Sequence, residues 1–435
     1  MFKQYRVVFL LKRTRMFSNN YTMDKFTTLA LLGGVLLRLA AFQWIPHLPA
    51  LLDQFVLFST PINSYRSLNE GIFLLSNDLN PYKQGEILHH PPILLWFFNV
   101  LKGSRITDNL STNIFFSAID LLICLQLIKI NRMLNKKEGF SSFQIAGFYM
   151  FNPFSILSTL AKSTYIINNL LVTCMMAEVM TDNFELAVLL LSISAYLTYY
   201  SWYLLIPIAY YVYINNGFGK CLKLIMLFIS AITVLLGISY KLCDDSFNFI
   251  SLCYMTILRF EKITPNLGLW WYFFTEIFDF FNNFYLAVFN IYSFVFVVPL
   301  TMRFILSDRK IDLLFVIWII VGLINFSKAY PVLADYTVFY SAMFLFKRYY
   351  HYLKFKPAVS FVALIVVLLQ SPTVYIIWMS LNSGNANFFY AMGLALSLVE
   401  SLFLSDFIWA YIQDEYYSTQ KIPEETRHTK KLTQI

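Results

Sequence analysis

The chain has 435 residues, 58% of them hydrophobic and only 13% charged, with a mean hydropathy of +0.59. So much apolar surface excludes a water-soluble domain, and at roughly 20 residues per span it provides for about a dozen membrane helices. The formal net charge of +8 sits mostly in short connections and tails, which points to membrane topology rather than nucleic acid.

Residues 1–22 carry Lys3, Arg6, Lys12, Arg13 and Arg15 around a short apolar patch, with no small-residue cleavage site after it. We read 1–25 as a basic cytosolic extension, with Met16 and Met23 as alternative starts. The first span is predicted at 26–45 and contains Arg38. The favoured reading of Arg38 is a side chain that snorkels to an interface; pairing with a loop carboxylate is the alternative.

Residues 46–110 form a mixed-charge connection. Helical spacing of its apolar residues at Leu68–Leu75 predicts an amphipathic surface helix. Asn80-Pro81-Tyr82 and Pro91-Pro92 punctuate it, and Ile93–Leu101 is too short to span. His89 and His90 are adjacent, so their rings point to different faces, which argues against a metal site. Asn109-Leu110-Ser111 is a sequon too close to the next span to favour glycosylation. That span, 113–130, contains Asp120 and ends in Lys129, Arg132, Lys136 and Lys137.

Further spans are predicted at 143–160, 166–180, 184–199, 201–214, 221–240, 283–303, 311–326, 331–346, 357–379 and 387–412. Counted from a cytosolic N-terminus, Lys129–Lys137, Lys220 with Lys223, Arg303 with Arg309 and Lys310, Lys347–Lys356 and the tail Lys421–Lys431 share one side. Only the Thr181–Glu185 turn on that side lacks a positive charge. Twelve spans with both termini cytosolic fit this pattern, giving a membrane domain at 26–412 and a cytosolic tail at 413–435. The other side receives loops 46–110 and 241–282 and the turns at Lys162, Ser327–Tyr330 and Ser380–Ala386. Nearly every polar peculiarity falls there, so function is expected there.

Three stretches concentrate those peculiarities. Phe151–Asn169 lies between two apolar runs: Asn152-Pro153 breaks or starts a helix, Lys162-Ser163-Thr164 makes a turn, and Asn168-Asn169 place two amides inside the next run. Residues 265–281 hold Trp270, Trp271, Phe273 and Phe274, which read either as an interfacial aromatic belt or as a helix facing lipid chains or a partner. In Ser383–Tyr390, Asn387 either caps the last helix or joins Asn385 in recognising a polar headgroup, with Phe388, Phe389 and Tyr390 behind it. The five cysteines lack metal spacing, although Cys243 and Cys253 share one loop and could pair. The sequence has no nucleotide fingerprint, zinc spacing or nucleophile elbow, and no metal or cofactor is expected.

Four stretches in order, Ser76–Tyr82 (SNDLNPY), Asn152–Asn169 (NPFSILSTLAKSTYIINN), Asn266–Phe281 (NLGLWWYFFTEIFDFF) and Asn385–Ala391 (NANFFYA), resemble the PIG-U family. That family is the U subunit of the glycosylphosphatidylinositol (GPI) transamidase. The resemblance implies an endoplasmic-reticulum membrane protein in a five-subunit complex that cuts a C-terminal signal and joins the new carboxyl end to GPI. The implied partners are the caspase-like subunit that carries the nucleophilic cysteine, with PIG-T, PIG-S and GPAA-type subunits. The implied role here is non-catalytic: to receive the glycolipid. Asn385, Asn387, Asn168, Asn169 and Lys162 are expected to meet its headgroup, and Trp270, Trp271, Phe273, Phe274, Phe388 and Phe389 to face lipid or partners.

The family is in turn similar to multi-spanning mannosyltransferases that use dolichol-linked sugars, which implies an all-α, glycosyltransferase-C-like bundle. Those enzymes place acidic residues in the first luminal loop, where this chain has Pro61 and Asn63. Neither serves as a general base at neutral pH. Nearby Asp53 and Glu70 keep an active sugar transferase as the alternative, and a purely structural assembly subunit is the third reading.

Overall fold

The computed structural model describes residues 23–83, 87–103, 110–134, 139–306, 308–355 and 357–420, and all regular structure among them is helical. Residues 1–22, Asn109 of the sequon, Lys136, Lys137, Lys356 and the tail 421–435 lie outside the described residues.

The first long helix, α1 (Lys25–Trp44), leads through the short α2 (Leu48–Asp53) to α3 (Tyr65–Ser76), which covers the helical spacing at Leu68–Leu75 and buries Leu68 and Ile72 in the protein. The Ser64 side chain accepts the Ser67 N–H at 3.3 Å and so fixes the start of α3. Next come α4 (Pro92–Lys102), opened by Pro91-Pro92, and the long α5 (Leu110–Leu134). The span predicted at 143–160 is two helices, α6 (Ser142–Met150) and α7 (Pro153–Leu160). Pro153 cannot continue a helix, and Asn152 turns to cap α7 by accepting the Phe154 N–H at 3.0 Å.

After α8 (Tyr165–Met180) and α9 (Phe184–Leu197), a 3₁₀ turn at Tyr199–Leu204 leads into α10 (Leu205–Asn216) and α11 (Phe218–Leu242). The loop beyond carries α12 (Asn248–Leu258) and α13 (Trp270–Glu276), followed by α14 (Asp279–Phe304) and α15 (Lys310–Ser327). The chain ends in α16 (Leu333–Ala342), a 3₁₀ stretch at Met343–Tyr352, α17 (Pro357–Met379) and α18 (Ala386–Thr419).

Seven helices among the described residues are long and apolar enough to cross a membrane: α1, α5, α11, α14, α15, α17 and α18. The chain is therefore a multi-pass membrane protein. The predicted spans at 143–160, 166–180, 184–199, 201–214 and 331–346 contain only shorter or broken helices. Broken backbone at membrane depth is tolerated where protein covers it, and all ten residues of α16 are buried. In contrast α11, α14 and α17 leave most of their apolar residues outward. Helices α15, α16 and α18 meet where Gly322 permits it, because a Cβ there would lie 2.5 Å from Phe339 Cε2 and 2.7 Å from Leu404 Cδ2.

Arg38 differs from the snorkelling expectation. It is fully buried, and its Nε donates to Asp120 at 2.7 Å. Its other nitrogens donate to the carbonyls of Gly34 and Met150 and to Ser155 Oγ, at 3.0, 2.8 and 2.7 Å. Asp120 also accepts from Tyr149, Ser155 and Thr159. A guanidinium so deep in apolar surroundings persists because its planar donors are matched, and the cluster joins α1, α5, α6 and α7. All five cysteines are free; Cys253 donates to the His90 carbonyl at 3.2 Å rather than pairing with Cys243.

One end of the bundle is closed by ion pairs: Lys129–Glu178 (3.2 Å), Lys223–Glu185 (2.6 Å), Lys310–Asp182 (2.6 Å), Arg303–Glu415 (2.9 Å) and Arg348–Asp414 (2.8 Å). The Thr181–Glu185 turn has no cation of its own, yet it joins this end through its acids.

Candidate functional site at the polar end of the bundle

At the opposite end the two long loops meet. Asn80 Nδ2 donates to Asp244 at 2.8 Å, and His89 Nδ1 donates to the Leu252 carbonyl at 2.7 Å. Between them lies an open cavity of about 480 Å³, walled by the first loop, including Val56, Ser59, Pro61, Arg66, Ile87 and His89, and by Lys262, Thr264 and Pro265 of the second. Its first wall is set by Asp53 at the end of α2, which accepts the Arg66 N–H at 2.8 Å and the Ser64 hydroxyl at 3.5 Å. Burial raises the Asp53 carboxyl above its usual range, while hydrogen bonds from Ser59 and from the Arg66 and Tyr65 amides oppose that. The side chain of Arg66 pairs with Glu70 one turn on, at 3.1 Å.

Behind this wall lies the Lys162 turn. Lys162 has φ +54°, and its ammonium donates to Thr112 Oγ1 at 3.0 Å, 5.1 Å from the Tyr65 ring centre and 5.5 Å from that of Phe42. Burial first, and repulsion from Lys102 second, bring its pKa down to about 7. Thr164 bonds the Asn63 carbonyl through both its N–H and its hydroxyl, and His90 Nε2 lies 3.2 Å from that hydroxyl. Burial, reinforced by His89, lowers His90 to about 3, so it is neutral.

The amides of α8 point inward. Asn168 Oδ1 accepts from Ser194 at 2.6 Å and Ser201 at 3.3 Å, while Asn169 donates to the Ala334 carbonyl at 2.7 Å and Thr337 Oγ1 at 3.1 Å. Lys162, Asn168 and Asn169 are only 2%, 3% and 5% exposed, which differs from their expected place against a headgroup. Facing helices satisfy these polar groups, which therefore join α8 to α5, α9 and α16.

Asn385 and Asn387 remain exposed. The cap of α18 is Asn385, whose Oδ1 accepts the Asn387 N–H at 3.0 Å. Asn387 instead accepts a hydrogen bond from the Tyr272 hydroxyl, and the Tyr272 ring stacks on Tyr390 with centres 4.5 Å apart. The aromatic expectation needs correcting. Trp270, Trp271, Phe274 and Phe389 are buried within the chain, Trp270 donating to the Ser327 carbonyl at 2.8 Å and Trp271 stacking on Trp378. Aromatic pairs gain from offset and edge-to-face contacts beyond the area they bury, which favours packing these rings on one another. Phe273 is half-buried, and Phe388 alone of the six is largely exposed, at 60%.

The structure thus gathers Asn385, Asn387 and Phe388 with Tyr272 and Tyr390 at one rim, and keeps Lys162, Asn168 and Asn169 apart from it, buried among α5, α8, α9 and α16. A strap of chain from Lys262 to Tyr272 joins cavity to rim, fixed midway by Asn266, which donates to Ala329 and accepts from Gly268. Sequence reading missed the second buried pair, Lys328 with Asp335, whose ammonium lies 4.0 Å from the Tyr165 ring centre. Asp335 inside an apolar run was its available signal. Among the described residues no three His, Cys, Asp or Glu side chains converge as metal ligands.

These features define a class: an all-helical, multi-pass membrane protein closed by ion pairs at one end and carrying a cavity and an amide–aromatic rim at the other. The family described as GPI transamidase subunit PIG-U matches residues 32–396, and the chain belongs to it. GPI transamidase component GAB1 of Saccharomyces cerevisiae is 35% identical over 398 residues, covering 91% of this chain and 96% of that protein. GPI-anchor transamidase component PIGU of Homo sapiens is 28% identical over 429 residues, covering 90% and 94%. The GAB1 homolog of Schizosaccharomyces pombe is 27% identical over 365 residues, covering 83% and 87%.

Proposed function

We propose that this chain is a non-catalytic subunit of GPI transamidase that receives the GPI glycolipid and positions it for attachment to the C-terminus of precursor proteins. The observation that carries this reading is the rim at the polar end, where exposed Asn385, Asn387 and Phe388 stand with half-buried Tyr272 and Tyr390. Amides donate to phosphate oxygens and accept from sugar hydroxyls without adding charge at the membrane edge. Aromatic rings suit headgroup depth, and Phe388 continues toward the acyl region. Lys162, Asn168 and Asn169 act as packing groups, joining the α8 region to α5, α9 and α16.

In this reading the bundle is glycosyltransferase-C-like, lies in the endoplasmic-reticulum membrane with both termini cytosolic, and turns its polar end to the lumen. Its partners are the caspase-like subunit, which supplies the catalytic cysteine, and the PIG-T, PIG-S and GPAA-type subunits. The active-transferase alternative is disfavoured because Asp53 spends its carboxylate on the first turn of α3.

The test is recovery of the assembled complex from cells lacking the native subunit, with lipid mass spectrometry and GPI attachment measured together. Asn387→Asp, which sets a negative charge against phosphate, is expected to lower both while assembly persists. Equal glycolipid content for Asn, Ser and Asp at position 387 overturns headgroup recognition at the rim.

A further inference from the structure

We propose that Glu400, near the middle of α18, binds a proton in the bundle interior: it stands as a carboxylic acid, donates its O–H to the Asn325 amide oxygen, and so latches α18 to α15. The register of the two helices brings these residues together. Tyr411 stacks on Phe315 with ring centres 4.6 Å apart, Phe407 meets Trp318 at 4.8 Å, and Leu404 lies over Gly322. The helices run antiparallel, so one further turn sets Glu400 level with Asn325. From α16, Asp335 reaches the same layer, its carbonyl accepting from Asn325 Nδ2 at 2.9 Å. The Tyr340 ring of α16 lies 5.3 Å from that of Phe403, one turn beyond Glu400.

The hydrogen bonds of this layer do not close without a proton. Glu400 and Asn325 are each 1% exposed. Neither Glu400 oxygen, nor Asn325 Oδ1, nor the Tyr340 hydroxyl has a partner among the described residues. Two charges act on Glu400, Asp335 and Lys328, and these are paired with each other. An ionised Glu400 would set a second carboxylate against one ammonium, and would offer only acceptors to an amide oxygen that is itself an acceptor. Leaving a carboxylate unpaired so deep in a membrane bundle is costly. One proton changes the count. As an acid, Glu400 donates to Asn325 Oδ1, and its other oxygen accepts from the Tyr340 hydroxyl, directly or through a single internal water of the kind that serves such groups. All four atoms then have partners, and the layer is neutral overall, with Lys328 balancing Asp335.

The experiment is infrared difference spectroscopy on the assembled complex in nanodiscs at neutral pH, comparing the unsubstituted chain with Glu400→Gln. The unsubstituted chain is expected to show the carbonyl stretch of a protonated acid that the variant lacks. Asn325→Leu should move that band to higher frequency, as loss of a hydrogen-bond acceptor does. Glu400→Gln, which keeps a donor and an acceptor without charge, should assemble and melt near the unsubstituted midpoint, while Glu400→Leu melts lower. A difference spectrum without the acid band overturns the proposal, and a band indifferent to Asn325→Leu overturns the latch to α15, as do equal midpoints for Glu400→Leu and the unsubstituted chain. Failure of Glu400→Gln to assemble overturns it too, because a neutral group then cannot replace the acid. A midpoint raised by sodium or potassium over choline, with that rise lost in Glu400→Gln, would put a metal cation in the proton's place.

Discussion

Arg38 and Asp120 show how a membrane interior treats charge one residue at a time. The pair is matched bond for bond, so removing one member leaves the other buried and uncompensated. Asp120→Asn is expected to cost about 3–5 kcal/mol, read as a lowered thermal midpoint in detergent, and Arg38→Met with Asp120→Leu to recover most of it. Lys162 gives a pH signature. The unfolded chain holds this proton up to its ordinary pKa of 10.5, whereas the folded chain releases it near 7. Between those values the unfolded state binds more protons, so stability rises with pH from about 7 upward and is flat in this respect below it. Lys162→Met should flatten that slope in melts at pH 6.5, 7.5 and 8.5. Asp53→Asn is expected to leave transamidation within a few-fold, where loss of a general base costs about 10²–10⁴-fold. A hundredfold loss in an assembled complex would restore the transferase alternative.

Among the elements, the close meeting of α15, α16 and α18 is the least forgiving. A methyl at Gly322 must displace the Phe339 ring and Leu404 together, so Gly322→Ala should destabilise by about 1–3 kcal/mol, measurable as a lower melting midpoint. Most element positions were legible from apolar runs and from punctuation such as Asn152-Pro153, which breaks the chain where its sequence says. What runs of hydropathy do not encode is whether a helix meets lipid or protein. The short helices α8, α9, α10 and α16 therefore read as full spans. For the same reason Trp270, Trp271, Phe274 and Phe389 read as an outer belt, although they pack on one another. The buried partners of Asn168 and Asn169 sit on α9 and α16, and no spacing within α8 announces them. Likewise the cavity needs loops 46–110 and 241–282 side by side, which only the fold supplies.

For the molecule as a whole, charge placement and hydrogen bonding divide the two ends. Ion pairs close one end, while the Asn80–Asp244, His89–Leu252 and Tyr272–Asn387 contacts gather the polar loops at the other. We expect a cysteine at the exposed Ser383 to react with an impermeant reagent in sealed microsomes only after permeabilisation. Reaction before permeabilisation would invert the bundle and put the rim and cavity in the cytosol. The acidic turn at Thr181–Glu185 carries a consequence for how the chain is made. When the hairpin of α8 and α9 leaves the ribosome, its tip holds Asp182 and Glu185, and the cation already translated, Lys129 on α5, pairs with Glu178 of α8. Lys223 and then Lys310, 38 and 128 residues beyond their partners, emerge later. The orientation of that hairpin is thus secured by cations translated after it, and nascent chains arrested before Lys223 should hold it less firmly than those arrested beyond Lys310.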